Sequence, residues 1–169
     1  MRRWRMRLRF DQARGVEGKR YAEKGNEVSV GNPSADEICA LLRAARTIAV
    51  VGFSPRSHRY SYRIASGLKD AGYRVIPIRP GIHEGLGEQA YPHLDALPAD
   101  VRIDIVDVFR SAEHVPQIVD ECMQRGLKTL WLQDGIINLH EAERARAAGM
   151  TVVMDRCILR DYHGLCGKT

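Results

Sequence analysis

Continuous runs of apolar residues, many of them β-branched, recur along the chain from residue 47 onward. Runs of this kind are typical of strands that are buried on both faces of a parallel sheet. Between them, apolar residues recur at intervals of three and four, which is the spacing of one helix face. We predict strands at 47–52, 73–78, 104–109, 128–133 and 151–154, with a short edge strand at 88–91.

The segments between these runs carry start and stop signals for helices. Ser34 with Glu37, and Asn138 with Glu141, have the spacing of capping boxes. Ser111 stands where it would cap a third helix, and glycines follow the ends of the patterns. We predict helices at 34–45, from the first loop to Gly72, from Ser111 to Arg125 and at 139–149.

Strands therefore alternate with helices from residue 34 to the last strand. Such alternation is typical of parallel strands joined by right-handed crossovers, with helices on both faces of the sheet. We predict a Rossmann-like, doubly wound α/β fold whose five- or six-stranded sheet is mostly parallel. Residues 34–169 form this one domain, and no internal repeat indicates a second.

Residues 1–33 differ from the rest in charge and pattern. They hold nine Lys or Arg against four Asp or Glu, whereas residues 34–169 hold 17 of each, so the net charge of +5 belongs to this extension. It shows neither helical nor strand periodicity, and we predict a disordered basic linker. A basic amphipathic anchor or an RNA-binding arm is the alternative, and translation starting at Val28 would remove most of it.

The balanced charge of the domain and the spacing of its cysteines restrict its partners and its location. We expect no nucleic-acid partner, and no apolar run approaches the roughly 20 residues that span a bilayer, so we expect no membrane partner. The histidines show no metal-binding spacing, and the cysteines match neither a zinc site nor a disulfide framework, so we expect no metal and a reducing, cytoplasmic location. The four cysteines are Cys39, Cys122, Cys157 and Cys166.

In a doubly wound sheet, ligands bind beyond the carboxyl ends of the strands, where the strand order reverses. The first such loop, 52–61, offers Gly52 for close backbone approach and the hydroxyls of Ser54 and Ser61. The start of the following helix favours anions, and Arg59, with two further arginines, adds positive charge. We predict that this loop holds phosphate.

The end of the second strand distinguishes between nucleotides. NAD-binding proteins carry an acidic residue in this region, but this chain has Arg79 followed by Pro80. A ribose phosphate is therefore favoured, and both NADP and coenzyme A carry one. The first loop also lacks the second and third glycines of the G-x-G-x-x-G fingerprint, which favours coenzyme A over the alternative of an NADP-dependent oxidoreductase.

The chain resembles the small CoA-binding domain proteins, which are similar to the CoA-binding domain of the succinyl-CoA synthetase alpha subunit. Its motifs IAVVGFSPRSHRYSY, GYRVIPIRP, GLGEQAYPHLDALP, DIVDVFR, VPQIVDE, LWLQDGI and AAGMTVVMDRC follow the family pattern over about residues 34–163. Tyr60 and Arg79 depart from it, because the family often has proline and asparagine there. The resemblance implies that the nucleotide end of CoA contacts Gly52, Ser54, Ser61, Arg79, Pro80, Phe109, Arg110, Gln133 and Gly135.

Catalysis is not expected from the chain alone. A ligase of the succinyl-CoA synthetase type also needs a phosphorylated histidine and an ATP-grasp partner, and no nucleophile–base pair can be assigned here. We expect a module that binds CoA or an acyl-CoA, and a CoA-binding subunit of a larger acyl-CoA ligase assembly is the alternative. A homodimer or a partner enzyme is compatible with either.

Cys157 lies just beyond the last strand, at the ligand-facing edge. A thiol there could meet the pantetheine sulfur, and we predict a reversible mixed disulfide with CoA. The alternative is a buried, inert cysteine, because small thiols pack well in protein interiors.

Overall fold

The structure is a computed structural model that describes residues 6–7, 20–23, 26–29 and 31–167. Its elements in chain order are β1 (Met6–Arg7), β2 (Arg20–Glu23), β3 (Asn26–Ser29), α1 (Ala35–Ala44), β4 (Thr47–Val51), α2 (Tyr60–Asp70), β5 (Arg74–Ile78), β6 (Glu84–Gly85), β7 (Glu88–Gln89), β8 (Ile105–Val108), α3 (Val115–Gln124), β9 (Thr129–Leu132), α4 (Leu139–Ala147), β10 (Thr151–Val153) and α5 (Ile158–Asp161). A π-helical turn, Tyr162–Cys166, follows α5.

The main sheet is a five-stranded parallel sheet with the strand order β10-β9-β8-β4-β5. The chain runs outward from β4 to β5 and then returns to the other side of β4 to form β8. The strand order therefore reverses between β4 and β8, which is the position where a doubly wound fold places its ligand. The predicted fold class is confirmed.

Helices cover both faces of this sheet. On one face, α3 and α4 pack on residues such as Val106 and Leu130. On the other, α1, α2 and α5 pack on Ile48, Ile105 and Trp131. Helices thus cover each strand of the main sheet on both faces, except at the strand ends. Residues that point to either face are therefore buried, which explains the continuous apolar runs in the sequence.

The short segment at 88–91 does not extend the main sheet as an edge strand. Its strand β7 pairs with β6 in a small antiparallel hairpin. Only Tyr91 reaches the sheet, through a single parallel bridge to Ile78 of β5. The predicted strand is therefore present as β7, but the short turn before it favours pairing with β6 over pairing with the main sheet.

Two predicted helix starts differ in detail from the structure. The Ser111 hydroxyl donates to Glu113 instead of capping, and a 3₁₀ turn precedes α3, whose first turn contains Pro116 with its fixed φ. The Asn138 side chain accepts from the Glu141 N–H at 3.1 Å, as predicted. The return bond of the capping box is replaced, because the Glu141 carboxylate accepts from Arg144.

The cysteines do form a disulfide, contrary to the sequence-based expectation. It joins Cys39 of α1 to Cys166, 127 residues later, with the two Cα atoms 5.4 Å apart. Spacing along the chain could not reveal this pair, because the fold alone brings the ends of the domain together. The cytoplasmic location, which was inferred partly from the cysteines, stays a prediction.

The N-terminal extension contains backbone structure at the positions that are described. Strands β1, β2 and β3 form a separate antiparallel sheet in that order. Antiparallel pairing uses backbone groups, so it needs no alternating apolar pattern. The rest of residues 1–30 lies outside the described residues, and disorder there stays a prediction.

Contacts with the main sheet begin before the predicted boundary at residue 34. The Asn32 side chain accepts from the Met154 N–H at 2.7 Å and donates to the Met154 carbonyl at 2.8 Å. Asn32 thus pairs with the backbone just beyond β10, as a neighbouring strand would.

Among the described residues, no helix has both the length and the apolar character needed to cross a membrane.

Candidate functional site

The loops that follow β4, β8, β9 and β10 meet at the carboxyl edge of the sheet. Backbone hydrogen bonds join each strand end to its neighbour there, from Gly52 to Ile78, from Phe109 to Val51 and from Gln133 to Val108. Because the strands are parallel, the loops that were predicted to bind the ligand lie together at one edge of the sheet.

Gly52 is the residue at which β4 turns into the first loop. Its φ is +84°, a conformation that favours glycine. A Cβ atom there would lie 3.0 Å from Arg110 Cδ and 3.2 Å from the Phe109 carbonyl carbon. Both the backbone angle and the close approach of the loop after β8 therefore require glycine.

The two serines of the first loop stabilise its shape. Ser54 and Ser61 are buried, and the Ser54 N–H donates to Ser61 Oγ at 3.1 Å. Ser54 Oγ also accepts from the Arg56 N–H at 3.4 Å. The loop is thus held against the start of α2 by its own hydroxyls, which ties the predicted phosphate loop to the helix N-terminus.

The start of α2 carries positive charge on its surface. Arg59 occupies the N-cap position, and a guanidinium cannot accept a hydrogen bond, so within the described residues the first turn of α2 lacks an N-cap side-chain acceptor. The residues Arg56, Arg59 and Arg63 are exposed. Free N–H groups and surrounding cations together favour an anionic ligand.

Arg79 links the end of β5 to the first loop. Its Nη1 donates to the Phe53 carbonyl at 3.2 Å, and its backbone N–H donates to the Tyr91 carbonyl. Arg79 and the following Pro80 are both exposed. The structure therefore places this arginine beside the predicted phosphate loop, although the two come from different crossovers.

The residues after β8 lie on the opposite side of the first loop. Phe109 is half-buried, and its ring contacts Tyr60 edge-on with the centroids 5.8 Å apart. Arg110 packs on Gly52 and its Nη2 lies 2.9 Å from His114 Nε2. Phe109 thus belongs partly to the core and partly to the rim of the site.

Gln133 and Gly135 follow β9 but differ in exposure. Gly135 is exposed, with a φ of +79°, and its N–H donates to Asp155 Oδ1 at 2.7 Å. Gln133 is only 1% exposed, and its Nε2 donates to Asp107 Oδ1 at 2.7 Å. Gln133 therefore lies beneath the surface, whereas the resemblance implies a ligand contact for it.

Cys157 lies at the start of α5 and is 4% exposed. Its thiol is close to the Tyr60 hydroxyl, and burial together with a hydrogen bond between these two groups raises the pKa of Tyr60. The ion pair of Arg160 with Asp134, with nitrogen–oxygen distances of 2.7 and 2.9 Å, lies near the same hydroxyl. Cys157 is thus at the carboxyl edge, beneath Tyr60 at the start of α2.

Asp107, which accepts a hydrogen bond from Gln133, was not among the predicted site residues. Asp107 is completely buried in the middle of β8, and its burial raises its pKa to about 8, against the lowering effect of the Gln133 hydrogen bond. A signal was present, because an acidic residue stands inside the apolar run 104–109. Tyr60 and Asp155 also belong to this edge and were not predicted as site residues.

A concave region lies at the other edge of the sheet. This cavity of about 570 Å³ is lined at the amino ends of the strands by residues that include Ala45, Asp104, Arg125 and Lys128. None of the residues predicted to bind the ligand lines it. The candidate site is therefore the carboxyl edge.

A family model and several known proteins are similar to this chain. A family model described as "CoA binding domain" matches residues 46–163. The uncharacterized protein YneT of Bacillus subtilis is 39% identical over 127 residues, which cover 75% of this chain and 93% of YneT. The structure of a hypothetical protein from Pyrococcus horikoshii OT3 has a TM-score of 0.76 at 28% identity, and the match covers 85% of this chain and 99% of that one.

A larger protein shares only part of its length with the chain. Acetate–CoA ligase (ADP-forming) II of Archaeoglobus fulgidus is 29% identical over 85 residues. The match covers 49% of this chain but only 12% of the ligase. The likeness to this enzyme is thus confined to a small part of it.

Proposed function

The chain belongs to the CoA binding domain family, and from this premise we propose that it binds coenzyme A, or an acyl-CoA, at the carboxyl edge of its parallel sheet. The observation that carries the proposal is the loop from Gly52 to Ser61, which lies at the reversal of strand order and leads into α2. This arrangement presents helix N–H groups and three exposed arginines to one small region.

The phosphates of CoA suit this region chemically. The pyrophosphate is an anion with many acceptor oxygens, and the start of α2 offers donors together with the positive end of the helix dipole. The absence of a side chain at Gly52 lets the Arg110 side chain pack against the backbone of the first loop, which adds a positive charge beside it. We assign the pyrophosphate to this loop.

The 3′-phosphate of the adenosine distinguishes CoA from NAD. Arg79 is exposed beside the first loop, and no acidic residue occupies the end of β5. We assign the 3′-phosphate to Arg79, with Pro80 against the adenosine. NADP also carries a ribose phosphate, so an experiment must distinguish binding of CoA from binding of NADPH.

We propose no catalysis by the chain itself. A second candidate function is that of a CoA-binding subunit in a larger acyl-CoA ligase assembly. This candidate is supported by the partial likeness to an acetate–CoA ligase, of which the chain covers 12%. Under either proposal, the role of this chain is to hold CoA.

The first experiment is a calorimetric titration with CoA, 3′-dephospho-CoA, acetyl-CoA and NADPH at fixed salt. We expect binding of CoA that weakens when the 3′-phosphate is removed. Arg79→Ala should weaken CoA binding by about tenfold, the scale of one charge-assisted contact, and leave dephospho-CoA binding nearly unchanged. Arg102→Ala, at the opposite edge of the sheet, is the matched control. Binding of NADPH alone would overturn the proposal.

A further inference from the structure

Asp107 and Gln133 lie together beneath the first loop, on the face of the sheet that α2 and α5 cover. Asp107 pairs in register with Val50 of β4 and Trp131 of β9, two buried apolar residues on that face. Gln133 follows Trp131 by two positions, so it lies on the same face. An acidic side chain therefore stands among apolar neighbours, directly below the carboxyl edge.

The hydrogen bonds of this pair are incomplete if the carboxyl group is ionised. Gln133 Nε2 donates to Asp107 Oδ1, but among the described residues Asp107 Oδ2 and Gln133 Oε1 have no hydrogen-bond partner. Both of these atoms are acceptors when Asp107 is a carboxylate. One proton on Oδ2 turns it into a donor for Oε1, and the acid and the amide then share two hydrogen bonds in a ring.

In the part of the chain that the structure describes, no positive charge compensates an ionised Asp107. The titratable or charged groups on the elements around it are Tyr60, Tyr62, Arg63, Lys69 and Asp70 of α2, Arg110 after β8, Asp134 after β9, Asp155 and Arg156 after β10, and Cys157, Arg160 and Asp161 at α5. None of the described hydrogen bonds or ion pairs joins one of these groups to Asp107, whose pKa is raised by burial and lowered only by the Gln133 bond. A buried, unpaired carboxylate is costly, so the neutral form is favoured.

We propose that Asp107 carries a proton in the folded protein, that it forms a cyclic acid–amide pair with Gln133, and that this pair is the uncharged floor of the anion-binding loop. The last part rests on the proposed function. An ionised carboxylate beneath the loop would repel the phosphates of CoA across a medium that screens charge poorly. On this view Gln133 serves the site by holding a proton on its neighbour.

The first test compares the stability of the wild type with that of Asp107→Asn, which keeps both hydrogen bonds without a titrating proton. A raised pKa in the folded state means that the stabilisation is complete below the pKa of the unfolded chain and is lost as the pH rises through about 8. We expect the unfolding equilibrium constant of the wild type, relative to that of the variant, to rise by up to about tenfold per pH unit in this window.

Asp70→Asn, which removes an exposed carboxylate, is the control and should leave the pH profile of the wild type unchanged. Parallel profiles for the wild type and Asp107→Asn would overturn the acid–amide pair. If Asp107→Asn does not fold, the ¹³C chemical shift of the Asp107 carboxyl carbon in the wild type decides. We expect a protonated carboxyl at neutral pH, and a carboxylate there would overturn the pair.

The second test measures CoA affinity by calorimetry below and above the titration of Asp107. We expect the wild type to lose several-fold more affinity at the higher pH than Asp107→Asn, whereas titration of CoA itself affects both equally. Equal losses would overturn the role of the pair as a floor while leaving the pair itself in place. If neither protein binds CoA at any pH, the proposed function fails, and the stability test still decides the protonation of Asp107.

Discussion

Gly52 combines a backbone conformation that favours glycine with a position in the candidate site. Its positive φ is shared with Gly126, but a Cβ at Gly126 would meet nothing within 4 Å, whereas a Cβ at Gly52 would crowd Arg110 and Phe109. The two positions thus have the same kind of backbone conformation and different surroundings. They form a matched pair for mutation.

We expect Gly126→Ala to cost about 1–2 kcal/mol of stability, from the backbone strain alone, and to leave CoA binding unchanged. Gly52→Ala should cost more than this and should also weaken CoA binding at least about tenfold, because the first loop must move away from the loop after β8. Urea denaturation and calorimetry measure the two effects. Equal CoA affinities for the two variants would contradict the assignment of the first loop to the pyrophosphate.

Cys157 and Cys122 are the free cysteines among the described residues, and both are buried. Only Cys157 lies at the carboxyl edge. Treatment with CoA disulfide should join one CoA to Cys157, as its thiolate attacks one sulfur of the reagent and the other CoA leaves as a thiolate. Intact-mass analysis should show one adduct in the wild type and in Cys122→Ser, and none in Cys157→Ser.

An adduct that persists in Cys157→Ser would place the reactive thiol elsewhere. Absence of any adduct in the wild type would favour the inert, buried cysteine. Cys122 is a suitable control, because its burial raises its pKa to about 12 and so suppresses the thiolate that such exchange needs.

At the scale of elements, the covalent link between α1 and the C-terminal π-helical turn is the feature that the sequence did not reveal. The guanidinium of Arg43 on α1 also donates to the Cys166 carbonyl at 3.2 Å, so the two elements are in contact without the disulfide. The disulfide should therefore add stability to a docking that already exists.

We expect a reducing agent to lower the melting temperature of the wild type, by an amount equivalent to about 2–4 kcal/mol, the usual contribution of a disulfide. The double variant Cys39→Ser/Cys166→Ser should melt at the temperature of the reduced wild type and should not respond to the reductant. Thermal unfolding followed by circular dichroism tests this. A response of equal size in the double variant would assign the effect to other thiols.

The strands of the main sheet were predictable because burial on both faces leaves a continuous apolar run, such as the one that became β4, and no other described element produces that pattern. The details of helix starts were less predictable. Ser111 and Asn138 both have side chains that can cap a helix. However, α3 begins later than Ser111, with Pro116 in its first turn, and the Glu141 carboxylate of α4 accepts from Arg144 instead of completing the capping box. Which partner a capping side chain bonds to depends on groups that come close to it only in the folded chain.

The position of the candidate site residues in the fold was predictable where they follow the ends of strands. Gly52, Arg79 and Gly135 could be placed at one edge, because parallel strands share their carboxyl edge. The burial of Gln133 could not be foreseen, since it depends on Asp107 in a neighbouring strand. Local sequence indicates which residues follow a strand, but it does not indicate which of them point inward.

At the scale of the whole molecule, the two edges of the main sheet differ in the predicted residues that they carry. The loops at the carboxyl edge carry the predicted ligand residues, whereas the cavity at the amino edge carries none of them. Binding of CoA should therefore protect one end of the molecule. This difference can be measured without any mutation.

We expect hydrogen–deuterium exchange to slow on addition of CoA in residues 52–63, 79–81, 109–111 and 133–136, because the ligand covers or orders these loops. Residues 99–104 and 125–129, which line the cavity at the amino edge, serve as an internal control and should exchange at the same rate with and without CoA. Protection centred on the control segments would move the binding site to the opposite end.

The pairing of Asn32 with Met154 also affects how two copies of this protein could associate. The outer side of β10 already has the Met154 N–H and carbonyl bonded to Asn32, and the Val152 carbonyl accepts from Arg146. At the far side of the sheet, β5 contains Pro77, and its carbonyl accepts from Tyr91. Among the described residues, these bonds occupy part of both margins of the main sheet, so an incoming strand would have to displace them before it could extend that sheet.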